Sequence, residues 1–420
     1  MKSKNLLLIL VVLLATYSCM AQDKYSKTSL FPSYKGLVMA GYQGWFNTPE
    51  DGANKGWTHY NQQGKFEPGF CKIDIWPDVS EYKKTYKTPF VDSAGNPCYV
   101  YSSYDASTTD LHFKWMKEYG IDGVFMQRFI SALKNQKNLN HNNTVLANAL
   151  KSAEKYKRAI AVMYDLSGMK DTDVELICND WKSLVDSLHI ADRGKKQSYL
   201  YHNNKPLVAL WGVGFSGRKY SNTSIEKLMD FLQHDPVYGG CAVLLGVPTQ
   251  WRELKGDAAK DSSSYALYKR ADIVQPWMVG RYKEANLSDR QVRIQEDLEW
   301  CKTNKVDFVP VVYPGFSWHN MYPNSPMNQI PRNRGQFFWK QLSSDIKTGV
   351  GMFYIAMFDE VDEGTAILKS SKNPPVGKSN FVTVESDLPN DYYLFLTGYA
   401  GKMLRKEVTF RDEVPRESQK

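Results

Sequence analysis

The hydrophobic positions of this chain fall into short, nearly continuous runs, separated by longer stretches in which apolar residues recur every three or four places. The short runs are Leu37–Tyr42, Gly123–Gln127, Ala159–Tyr164, Leu207–Trp211, Ala242–Gly246, Ile273–Pro276, Asp307–Tyr313 and Met352–Phe358. A strand buried on both faces of a parallel sheet requires such a run rather than an alternating one. The stretches between them predict helices at Leu111–Tyr119, Val145–Lys157, Asp173–Leu188, Ser224–Gln233, Ser288–Lys302 and Gly335–Ile346. Eight strands with helical crossovers predict an α/β fold closed into a (β/α)8 TIM barrel. An open doubly wound sheet is the other way to arrange such units, but no G-x-G-x-x-G follows any strand, so its dinucleotide-binding form loses support.

The first connection breaks the rhythm, because residues 43–110 are too many for a plain loop. Aromatic and glycine-rich segments punctuate them: Gly41 to Phe46, Gly56-Trp57-Thr58-His59, Asp74 to Asp78 and Val100 to Tyr104, the last a candidate extra strand. This is expected to be a large excursion on one face of the barrel. At the start of the chain, Lys2 and Lys4, the apolar Leu6–Ala15 and then Ser18-Cys19-Met20-Ala21 read as a bacterial secretory signal over residues 1–21. Two processing routes stay open. Cleavage after Ala21 gives a secreted or periplasmic protein, and lipidation of Cys19 with cleavage before it gives an outer-membrane lipoprotein. Residues 22–401 are then the barrel domain, and the charged residues 402–420 a tail without a function of its own. A monomer is expected.

Composition narrows the chemistry. Past the expected leader the mature chain keeps five cysteines, Cys71, Cys98, Cys178, Cys241 and Cys301, too widely spaced for a metal knuckle and odd in number, so at most two disulfides can form, and Cys241 reads as a core residue. The formal charge of +8 is spread without a basic run, which argues against a nucleic-acid partner and leaves neutral and anionic glycans equally admissible. Aromatic residues make up 13% of the chain, with 11 Trp and 26 Tyr, as suits a protein that stacks flat ligand faces, although most of them must be core.

A barrel gathers the residues after each strand at one rim. Here the strand ends bring Tyr42, Gln43 and Trp45, then Arg128, Tyr164 and Asp165, then Trp211, Trp277, Tyr313 and His319. Rings for sugar faces and a few polar groups for hydroxyls are what a carbohydrate site needs, although each residue alone reads equally well as packing. The last apolar run stops on Asp359-Glu360-Val361-Asp362-Glu363-Gly364-Thr365. Residues i and i+3 of a strand point to opposite faces, so Glu360 and Glu363 converge only if the chain turns just after Phe358, and Gly364 permits that. Two such carboxylates at a strand end suit glycoside hydrolysis, in which one acts as acid and the other as base or nucleophile. Asp359 and Asp362 add charge that would raise the pKa of the acid. No metal or other cofactor is called for.

In order along the chain, Gly-Tyr-Gln-Gly-Trp-Phe from Gly41, Gly56 to His59, Gly120 to Val124, Val309 to Phe316, Arg332-Asn333-Arg334-Gly335 and Glu360 to Thr365 together resemble glycoside hydrolase family 99, the endo-α-mannosidase and endo-α-mannanase family, and its neighbour family 71. The resemblance runs over most of the mature chain. Its most specific part is the closing Glu-x-x-Glu-Gly-Thr. The family motif reads Glu-Trp-His-Glu-Gly-Thr, and Val361 and Asp362 stand where it has Trp and His, which points to a relative with a different sugar. The resemblance implies a retaining hydrolysis of an α-linked oligo- or polysaccharide. In it Glu360 is the base on the substrate's own 2-hydroxyl and Glu363 the acid at the leaving oxygen; conventional double displacement stays open. The expected supporting residues are Tyr42, Trp45, Trp57, His59, Arg128, Asp165, Trp211, Trp277, Tyr313, His319 and Arg334. Other polysaccharides (α-glucan, xylan, arabinan) and a non-catalytic glycan-binding barrel are the alternatives. The loop Pro323-Asn324-Ser325-Pro326 is expected to wall an open cleft.

Overall fold

The structure is a computed structural model and describes residues 25, 26, 28–191 and 197–416, so the expected leader and its Cys19 lie outside it. Its strands are β1 (Val38–Tyr42), β2 (Tyr86–Val91), β3 (Pro97–Val100), β4 (Gly123–Phe129), β5 (Ala159–Asp165), β6 (Tyr201–His202), β7 (Lys205–Trp211), β8 (Ala242–Val247), β9 (Ile273–Pro276), β10 (Asp307–Phe308), β11 (Val311–Val312) and β12 (Phe353–Ile355). Its helices are α1 (Ala106–Tyr119), α2 (Ile130–Leu133), α3 (Gln136–Tyr156), α4 (Val174–Ser187), α5 (Asn222–His234), α6 (Ser264–Arg270), α7 (Leu287–Asn304), α8 (Gln336–Thr348) and α9 (Tyr392–Leu404).

The parallel sheet runs β10-β9-β8-β7-β5-β4-β1-β12-β11. β10 and β11 are two halves of one extended run broken at Val309-Pro310, where proline has no N–H to give to the ladder. One half pairs with β9 and the other with β12, so the ring closes as the expected (β/α)8 barrel. β1 and β5 are buried along their whole length, which explains their unbroken apolar runs. Inside the barrel, Gln127 of β4 donates to the Tyr354 hydroxyl of β12 at 2.9 Å. A Cβ on Gly41 of β1 would stand 2.2 Å from that hydroxyl, so the glycine makes room for it.

The excursion forms a small layer of its own over the rim. β2 and β3 pair as an antiparallel hairpin, with the extra strand at Pro97–Val100 rather than at Val100–Tyr104. Tyr60, Phe66, Trp76 and Phe90 pack as its aromatic centre. His112 of α1 ties it to the barrel: its Nδ1 bonds the Tyr42 hydroxyl at 2.9 Å and its Nε2 the Tyr82 hydroxyl at 2.6 Å. Burial holds the His112 pKa down at about 3, so this hub stays neutral.

Helix α9 extends past Lys402 to Leu404, and Arg405 beyond it bonds Asp122 and the Gly36 carbonyl at the base of the barrel. Ordered contacts therefore extend beyond the boundary expected at residue 402. The five cysteines among the described residues are all free, and Cys241 is buried in the core. No described helix is long and apolar enough to cross a membrane.

Candidate active site

After β12 the chain leaves the barrel through a cis peptide between Ala356 and Met357 and then turns sharply. The turn is held from inside by its own backbone: the N–H groups of Thr365 and Ala366 both donate to the Glu360 carbonyl, at 3.2 and 3.1 Å. It is held from outside by two other segments. Asp74 and Ile75 of the excursion donate to the Val361 carbonyl at 2.9 and 3.1 Å, and Ser317 donates to the Glu363 carbonyl at 3.0 Å. Gly364 sits at φ +64° with Ser317 packed against it. Asp74 is the common anchor, accepting from the Ser317 hydroxyl and from the N–H groups of His319 and Asn320.

Four acids crowd this turn. Asp359 is fully buried and accepts from the N–H groups of Gln43 and Gly44, both at 2.8 Å. Burial nevertheless pushes its carboxyl up to about 7, with those two donors and the Asp362 charge as smaller influences. Glu360 accepts from the Gln43 side chain at 2.5 Å on one oxygen and from the Thr365 hydroxyl at 2.8 Å on the other. Its pKa is raised well above the ordinary range, by burial first and then by the charges of Glu363 and Asp362. Glu363 is enclosed on most sides but keeps part of its surface open to solvent. Burial, helped by Asp362, pushes its carboxyl up to about 7. Glu363 makes no side-chain hydrogen bond to any described residue. Burial and like charge together keep this cluster from carrying its full charge at neutral pH.

The aromatic neighbour of this turn comes from the excursion. His59 stacks flat on Trp45, with centroids 3.8 Å apart and planes 6° apart, and its Nδ1 lies 3.2 Å from Asp362. The structure thus brings Glu360, Glu363, Trp45 and His59 together. Gln43 and Thr365, which hold Glu360, were not among the expected supporting residues, although both lie inside the motifs that carry the resemblance.

Asp165, Trp211 and Trp277 line another part of the same mouth. Trp211 and Trp277 meet edge to face at 5.2 Å. Asp165 is buried, and burial raises its pKa.

Five expectations are corrected. Tyr42 points away from the mouth, because alternation along β1 turns it toward α1 and His112. Arg128 likewise faces outward, where it is buried against Asp180 of α4 with a 2.8 Å bond from Nε. Tyr313 is fully buried and donates to the Tyr282 carbonyl at 2.5 Å. Trp57 packs on Phe66 within the excursion at 5.0 Å. Arg334 is exposed and pairs with Asp387, not with either glutamate. His319 lies near the acidic turn but acts on its own loop, its Nδ1 lying 2.7 Å from the Ser325 carbonyl, which fastens the segment Pro323–Pro326.

No protein-family model matches the chain, and no curated protein matches it. Solved structures do. The chain is similar to the GH99 endo-alpha-mannosidase from Bacteroides thetaiotaomicron, with a TM-score of 0.66 at 15% identity over 89% of this chain and 99% of that one. The same mannosidase in complex with BIS-TRIS-Propane gives a TM-score of 0.65 with the same identity and coverage. A structure described as a glycoside hydrolase-like protein gives 0.52 at 14% identity over 78% of this chain and 92% of that one. The chain therefore has a GH99-like (β/α)8 fold.

Proposed function

We propose that this protein is a retaining glycoside hydrolase that cleaves an α-linked glycan, with Glu360 and Glu363 as its catalytic pair. One observation carries the reading: the turn after the last barrel strand holds two buried glutamates whose pKa values are both raised, that of Glu360 partly by the charge of Glu363, beside a flat Trp45–His59 stack at the barrel mouth. The GH99-like fold adds support, because the solved relative is an endo-alpha-mannosidase.

The two glutamates have different surroundings, and that divides their roles. Glu360 is gripped at both oxygens by donors, which hold it still and pull its pKa down against the larger upward push of burial, Glu363 and Asp362; it acts as the base in its ionised form. Glu363 has no such donors and a raised pKa, so it keeps a proton near neutrality and can deliver it to the leaving glycosidic oxygen. Glu360 would take the proton of the substrate's 2-hydroxyl; direct attack by its carboxylate is the conventional variant. His59, through Asp362, steadies the neighbouring acid. The expected leader makes the enzyme secreted or surface-attached.

The test is release of reducing ends from α-mannan, α-glucan, xylan and arabinan by the unmodified protein and by Glu360→Gln and Glu363→Gln. Cleavage of at least one α-linked polymer is expected, with each variant lowering the rate about a thousandfold while still binding. Binding of polymers by the unmodified protein without any cleavage would overturn the reading and leave a glycan-binding barrel.

A further inference from the structure

The loops after β5, β7 and β9 build a surface at the barrel mouth that the chemistry of the acidic turn leaves unused. Trp211 ends β7 and meets Trp277, just past β9, at 5.2 Å and Phe215 at 5.1 Å. All three rings keep part of their surface open. Arg218 lies over this corner, its guanidinium carbon 5.5 Å from the Trp211 ring and 5.2 Å from that of Phe215. Its Nη1 donates to the Ser167 hydroxyl at 3.1 Å. The loop is closed behind it by the Tyr220 hydroxyl, which donates to the Gly212 carbonyl at 2.8 Å; Gly212 takes φ +119°, open only to glycine.

Two observations set this arginine apart. Neighbouring rim arginines spend their charge on carboxylates: Arg252 on Asp297, Arg281 on Asp257 and Arg293 on Glu253. Arg218 has no carboxylate of a described residue within ion-pair distance. It feels Asp165 only at longer range, and burial inclines that acid toward its neutral form. The second observation is local charge. Lys219, next in the chain, bridges by its backbone to Lys170, and both lysines are exposed. The adjacent Asp171 is taken up by the hydroxyls of Ser221 and Ser224. A guanidinium held over two rings and tied to Ser167 is restrained in place and keeps further N–H donors for whatever enters the corner.

We propose that this corner binds an anionic substituent of a saccharide, a uronic-acid carboxylate or a sulfate ester, and that Arg218 sets that specificity. The inference rests on the ligand being a glycan, as in the function proposed above.

The experiment is affinity electrophoresis through gels containing α-mannan, the same α-mannan sulfated chemically, or polygalacturonate, at low salt and at about 0.5 M salt. The unmodified protein should be retarded more by one of the charged polymers than by neutral α-mannan; sulfated mannan as the preferred one assigns a sulfate, polygalacturonate a carboxylate. Arg218→Gln should weaken that binding about tenfold, and Arg218→Lys should restore only part of it, since lysine keeps the charge but loses the planar fork. High salt should erase the preference. Equal retardation by charged and neutral polymers, no retardation by any, or an undiminished preference in a folded Arg218→Gln protein would each overturn the proposal. Because binding is read without turnover, the two readings fail separately. A protein that cleaves nothing but shows the Arg218-dependent preference loses only the hydrolase assignment; one that cleaves neutral mannan and ignores charge loses only this one.

Discussion

At the scale of single residues, burial decides which charges serve structure and which remain for chemistry. Glu363 has an ordinary pKa of 4.5 and a folded value near 7, so the native state binds its proton more tightly than the unfolded chain does. The stability this contributes is full below about 4.5 and is lost as pH rises through about 7. Glu363→Gln should therefore melt with the unmodified protein near pH 4.5 and above it at pH 8, by on the order of 1–3 kcal/mol; scanning calorimetry at the two pH values checks this. Two arginines give the opposite lesson. Arg128→Met leaves Asp180 buried without its partner and should cost about 3–5 kcal/mol with little change in KM once folded, whereas Arg334→Ala on the surface should alter neither melting nor activity. In the sequence these two arginines looked alike, both at strand or motif ends. Only the parity of β4, fixed by its partners, turns Arg128 outward, and only the position of Asp387 explains Arg334.

At the scale of elements, the acidic turn is shaped by segments far from it in the chain. Gly364 at φ +64° is closed in by Ser317, and a Cβ there would stand 2.9 Å from the Ser317 backbone N and O. Gly364→Ala should cost about 2–3 kcal/mol in denaturant unfolding and remove most activity, because the turn that aims Glu363 must shift to relieve the contact. That turn was legible in the sequence, since two glutamates three apart cannot meet without one. The clamp around it was not, because Asp74, Ile75 and Ser317 show no pattern that marks them as its partners. The helix Ser264–Arg270 and the hairpin position of β3 were missed for a related reason: both are short, and their register is set by neighbours rather than by their own periodicity.

At the scale of the whole molecule, eight apolar runs and six amphipathic stretches were enough to read the barrel, because parallel strands covered on both faces leave a plain trace in composition. The way the excursion folds, and so the half of the mouth that carries Trp45 and His59, had no such trace. Closure itself has a consequence. β1 lies against β12, and Gln43 at the end of one holds Glu360 just past the other, so the acidic turn and its keeper come from opposite ends of the translated message. Chains cut in the exposed loop at residues 235–240 should be inert as separate halves and active when refolded together, with a rate that depends on the concentration of both; a half that hydrolyses glycan alone would contradict this. Competence then arrives all at once, when the seam welds, and a protease that opens the ring anywhere leaves no fragment with a partial talent.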